Sequence, residues 1–318
     1  MAGRTTTPAY DDPVSDHDQH ATATSATRRN WRRLAAAVAI GAVILVVEII
    51  AGVRSNSLAL LADAGHVFAD VSGIGLSLAA AWLAGRPRTA DRTFGWFRLE
   101  ILAAIANALL LLGISIVILY EGVRRFAQPP TLEPGPILGV AAFALVANLV
   151  SLRLLFAGRR ESLNVRAAYL EVAGDVLGAG AVLVAGLVIA LTSWQQADAV
   201  ASIAIGLLIV PRTITLLRDG LDVLLEATPK GIDMAHVRTH VLEAPGVLDV
   251  HDLHAWTITS GMNVVSAHVV LAPDAQPGDV LDHLATCLSD DFDVGHSTFQ
   301  LETPDHVRWE ARASRPLH

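Results

Sequence analysis

The chain has 318 residues, 53% of them hydrophobic and 17% charged, with a net charge of −8 and a single cysteine, Cys287. So apolar a composition excludes an ordinary soluble protein of this length and points to a membrane, and the acidic balance excludes nucleic acid as a partner. One cysteine excludes an internal disulfide and suits a reducing cytoplasm.

Residues 1–30 are rich in Thr, Ala, Asp and Ser, lack the apolar core of a secretion signal, and are expected to form a disordered cytoplasmic tail. His17 and His20, in "DHDQH", are either a loose metal-binding pair or simply solvated. Residues 31–218 hold six apolar stretches, at about 34–53, 58–84, 99–121, 136–156, 167–191 and 197–217. Each approaches the ~20 residues that a helix needs to cross a bilayer. Lipid offers backbone groups no partner, so a membrane α-helical bundle of six transmembrane helices is expected.

Arginine placement sets the orientation. "RRNWRR" precedes the first span, Arg86, Arg88, Arg92 and Arg98 lie between the second and third, and Arg159, Arg160 and Arg166 between the fourth and fifth. The opposite loops hold Arg54 and the pair Arg124 and Arg125, and "TSWQQAD" holds no base. By the positive-inside rule both termini face the cytoplasm.

The fifth span carries "YLEVAGDVLG", with Glu171 and Asp175 four residues apart. A carboxylate near the bilayer centre costs at least ~2.5 kcal/mol, so an acid there implies a function. The second span repeats the spacing in "ADAGHVFAD", with His66 and Asp70 four apart and Asp63 one turn earlier. Residues at i and i+4 share a helix face, so two helices each presenting such a pair can enclose a four-coordinate ion. Neither span has an interior Arg or Lys to neutralise the acids. A cation or proton site therefore competes with polar contacts between helices. Asp63 is expected to line the entry path or orient a ligand, and Asn107, Asn148 and Asp198 to hydrogen-bond between helices.

Residues 219–307 read as a soluble cytoplasmic domain with the order αββαβ, which suits a two-layer α+β ferredoxin-like fold, and 308–318 as a tail. His251, His254, His268, His296 and Glu302 fall on or beside its strands, either as a metal-ligand set or as surface histidines, whereas His236, His240 and His283 lie on helices and are expected to be solvated. The sequence shows no nucleophile with a base, no phosphate loop and no triad, so neither an enzyme nor an organic cofactor is expected.

The motifs "NSLALLADAGHVFAD", "FGWFRLEILAAIANALLLL", "YLEVAGDVLGAGAVLVAG", "ADAVASIAIGLLI", "VHDLHAWTITSGMNVVSAHVV" and "HSTFQLE" together resemble the cation diffusion facilitator family of zinc transporters. The resemblance implies a homodimeric antiporter in the bilayer, the cytoplasmic membrane if the source is a bacterium. It would move divalent metal ions, Zn²⁺ first, out of the cytoplasm in exchange for protons. It implies a transport site of His66, Asp70, Glu171 and Asp175, and a regulatory metal site in the cytoplasmic domain at His251, His268 and Glu302.

Three departures from the family pattern matter. Glu171 stands where zinc-type members usually place histidine, which hardens the site and eases acceptance of Mn²⁺, Cd²⁺, Co²⁺ or Fe²⁺. The loop "FAGRRESLNVRAA" lacks the histidines many members place there, and Gln300 stands where some members have histidine. A membrane metal sensor that does not transport is the competing reading, and the mid-membrane acids weigh against it.

Overall fold

A computed structural model describes residues 18–87, 89–159 and 163–307. His17, Arg88, Arg160 and the tail from 308 lie outside the described residues, as does the side chain of His20. Among the described residues, six helices are long and apolar enough to cross a membrane. They are α1 (Asp18–Ser55), α2 (Leu58–Ala84), α3 (Leu99–Ala127), α4 (Pro134–Phe156), α5 (Leu163–Thr192) and α6 (Gln196–Leu224).

Two boundaries differ from expectation. Residues 18–30, read as disordered, form the first turns of α1, because Ala, Gln and Arg are good helix formers and a helix once nucleated in the apolar span propagates cheaply. Residues 219–224, assigned to the soluble domain, continue α6 beyond its internal Pro211.

The chain divides into two compact units, residues 1–71 with 114–209 and residues 72–113 with 210–318. In the first unit, Ile44 of α1, Ala144 of α4 and Ala179 of α5 form one small core. Leu45 of α1 packs with Ala64 and Val67 of α2. Small residues let these helices approach: a Cβ on Gly65 would lie 2.8 Å from Ile114 of α3.

The turn between α1 and α2 carries Asn56 in the left-handed region, at φ 55°. Its start of α2 is capped from another helix. Asp198 of α6 accepts from the Ser57 hydroxyl at 2.5 Å, the Leu58 N–H at 2.7 Å and the Ala59 N–H at 3.3 Å. The first N–H groups of a helix have no partner within it, so a buried α2 terminus needs this carboxylate. Asp198 thus makes the interhelical bonds expected of it. Arg125 donates to the Asn56 carbonyl at 2.5 Å and pairs with Glu121 at 3.0 Å, which also holds Arg124 at 3.2 Å.

In the second unit the soluble part runs α7 (Met234–Leu242), β1 (Val247–Thr259), β2 (Met262–Leu271), α8 (Pro277–Phe292) and β3 (Val294–Glu302), the expected order. β1 and β2 form an antiparallel hairpin, β3 lies parallel to β2, and the sheet order is β1-β2-β3. Val237 and Val241 of α7 and Leu284 and Leu288 of α8 pack against Val250, Val265 and Val269 of the sheet. The result is the two-layer, ferredoxin-like α+β domain. The hairpin tip meets the start of α3, where Glu100 accepts from Thr259 at 2.5 Å and Ser260 at 2.9 Å. Arg98 and Glu226 pair nearby at 2.8 Å.

Candidate metal centres

The first centre joins α2 to α5. His66 Nε2 lies 3.6 Å from Asp70 Oδ2 on its own helix and 3.7 Å from Asp175 Oδ1 on α5. The three residues offer ligand atoms all within 4.8 Å of one another. The i, i+4 spacing turns His66 and Asp70 to one side of α2, as the sequence predicts. One imidazole nitrogen and two carboxylates suit a borderline divalent ion, with water or another side chain completing four-coordination. Glu171 lies one turn before Asp175, half-buried, and is not among the three that converge.

Asp63 is buried at 3% exposure and presses on α5, where a Cβ added to Gly178 would come within 2.5 Å of its Oδ1. A larger residue there would force the carboxyl to shift. Beside it is a residue that the sequence reading passed over, Glu48 of α1, 1% exposed and in contact with Asp63. Its signal was available, since it is a lone acid in the apolar run "ILVVEIIAG".

The second centre lies on the sheet. His251 and His268 are direct cross-strand partners, and β3 sets Gln300 beside His268 and Glu302 beside Val270. Glu302 Oε2 is 3.1 Å from His251 Nε2, and its Oε1 is 2.9 Å from His268 Nδ1. The imidazoles meet edge to face at 5.0 Å between centroids. These three residues also offer ligand atoms within 4.8 Å. Burial works to raise the Glu302 carboxyl, but the Gln300 amide, His251 and the charge of His268 outweigh it and hold the group below the ordinary carboxyl range. Gln300, which stands where some family members have histidine, donates to Glu302 Oε1 at 2.6 Å and so fixes the carboxylate.

Asp252 was also missed. It sits in a left-handed bulge at φ 50°, 3.0 Å from His254 and 3.8 Å from His268. The bond from His254, more than the nearby imidazole charges, holds Asp252 below the usual carboxylate range. His254 and His296 are exposed and outside the convergent set. His240, expected to be solvated, pairs with Asp291 at 2.9 Å and, like His236, packs edge-on to Phe292.

Comparison with known proteins meets this geometry from another side. Residues 34–225 match the cation efflux transmembrane domain, and residues 229–304 match the cytoplasmic domain of cation efflux proteins. The metal cation efflux system protein CzcD of Cupriavidus metallidurans is 43% identical over 86% of this chain and 87% of its own. The zinc transporter ZitB of Escherichia coli is 39% identical over 86% of this chain and 88% of its own. A protein of Bacillus subtilis named as a cadmium, cobalt and zinc/H(+)-K(+) antiporter is 34% identical over 86% of this chain and 89% of its own. Matched along both its membrane and its cytoplasmic parts, the chain belongs to the cation diffusion facilitator family of metal-ion efflux transporters.

Proposed function

We propose that this protein is a proton-coupled antiporter that exports divalent metal ions, zinc first, from the cytoplasm. The observation that carries the reading is the approach of His66 and Asp175, from two different membrane helices, to 3.7 Å. Relatives named for zinc, cadmium and cobalt support the metal class, and one named as an antiporter to H(+) and K(+) supports exchange. His66, Asp70 and Asp175 hold the cargo ion, and Glu171 swings in from the next turn of α5 as the fourth ligand. All four must be deprotonated to bind, so cargo affinity falls as the solution becomes acidic. The ion enters from the cytoplasm, rearrangement of the helices exposes it on the other face, and protons arriving there compete it off.

The protein acts as a homodimer in the cytoplasmic membrane with both termini inside. His251, His268 and Glu302 hold a regulatory zinc ion in the cytoplasmic domain, and no organic cofactor takes part.

The deciding experiment is metal uptake into proteoliposomes with an acidic lumen, comparing Zn²⁺, Cd²⁺, Co²⁺ and Mn²⁺. The natural protein is expected to accumulate zinc, and Asp175→Ala, inserted normally, to lose uptake at least tenfold. Normal flux in Asp175→Ala would remove the site assignment. Glu171→His addresses selectivity: a carboxylate is the harder ligand, so the substitution is expected to shift preference from manganese toward zinc.

A further inference from the structure

Glu48 is 1% exposed in the middle of a membrane helix, and neither of its oxygens has a hydrogen-bond donor among the described residues. The group it touches is the carboxyl of Asp63, itself 3% exposed and wedged against Gly178, one turn along α5 from Asp175. The charged groups facing Glu48 are Asp63 from α2 and, farther off, Asp175 from α5. On α4, which packs against α1, the buried polar residues are Asn148 and Ser151, neither ionisable, and Arg54 on α1 itself is exposed. Two carboxylates repel, and two carboxyl groups in contact form a hydrogen bond only when one of them carries a proton. A buried polar atom with no donor is costly, so this arrangement is stable as a shared-proton pair.

We propose that Glu48 and Asp63 form a proton-binding site beside the cation centre, and that this proton is one of those exchanged for the cargo. The inference rests on the antiport reading above and names groups that carry its counter-ion. When a divalent cation settles on His66, Asp70 and Asp175, its charge repels the neighbouring proton, which leaves the Glu48–Asp63 pair for water. When a proton returns to the pair, the site loses one compensating negative charge and holds the cation less tightly. Neither acid needs to touch the metal for the two to compete.

The test uses the full chain in detergent, with His251→Ala and His268→Ala present throughout to take the cytoplasmic-domain centre out of the titration, and zinc affinity measured by calorimetry from pH 6 to pH 8. The slope of log Kd against pH counts the protons released per ion. Glu48→Gln keeps the shape and one donor but cannot release a proton. It is expected to bind zinc with a slope shallower by about one, a tenfold smaller change in affinity per pH unit. A slope equal to that of the natural protein overturns the proposal. Asp63→Asn gives a second reading with the same expectation. The natural protein gives a third, a carboxylic-acid C=O band in its infrared spectrum that disappears on zinc addition, and a spectrum without that band also overturns the proposal. Asp175→Ala keeps the two failures apart. Unchanged zinc affinity in that variant removes the cation site and this inference together, whereas lost affinity there with a full slope in Glu48→Gln removes this inference alone.

Discussion

Glu302 ends β3 with an imidazole on each oxygen and the Gln300 amide behind it. Because its folded carboxyl titrates below the ordinary range, its stabilising share is complete above the unfolded value of about 4.3 and is lost as pH falls through the lower folded value. Glu302→Ala leaves two imidazoles and an amide around a hole, and is expected to cost about 2 kcal/mol of cytoplasmic-domain stability, read as earlier thermal unfolding of the full chain. Zinc is expected to raise the melting temperature of the cytoplasmic domain in the natural protein and not in this variant, because a ligand stabilises only a state that binds it. Imidazole and carboxylate recurring on neighbouring strands made His251, His254, His268, His296 and Glu302 candidates, and the family resemblance narrowed them to His251, His268 and Glu302. Asp252 was not, since the shift in strand register between His251 and His254 turns it toward His268 against the alternation that a regular strand predicts.

At the scale of elements, apolar runs placed all six membrane helices, and turn residues placed the hairpin. What they left out were contacts between distant segments. The cap that Asp198 supplies to α2 has no sequence signal, because donor and acceptor lie about 140 positions apart. The extension of α1 back to Asp18 was hidden by polar composition, which reads as disorder although each residue type tolerates a helix. One loop is exacting: Gly246, between α7 and β1, has φ +86°, and a Cβ there would lie 2.7 Å from that of Ala275. Gly246→Ala is expected to destabilise the cytoplasmic domain by about 1–3 kcal/mol while leaving the membrane helices inserted, which differential scanning fluorimetry and protease mapping distinguish.

For the whole molecule, charge placement predicts that the loop between α3 and α4 faces away from the cytoplasm. In a Cys287→Ser background, Gln128→Cys is expected to react with a membrane-impermeant maleimide in intact cells, and Ser289→Cys only after permeabilisation. The reverse pattern would invert the topology. The resemblance reached the family from the sequence because its motifs are strings of residues, whereas the convergence of three side chains is a distance. Only three of the four expected side chains converge in this structure, and Glu171 stands one turn away. The cap on α2 also constrains how the chain is made. Leu58 and Ala59 emerge from the ribosome long before Asp198, and among the described residues nothing nearer in sequence takes their N–H groups in the finished fold. The Leu60 N–H finds Ser57 Oγ at 3.2 Å, but these two first donors of the second helix wait until the sixth has entered the bilayer, and a chain halted before residue 196 presents quality-control proteases with a helix end that is only half capped.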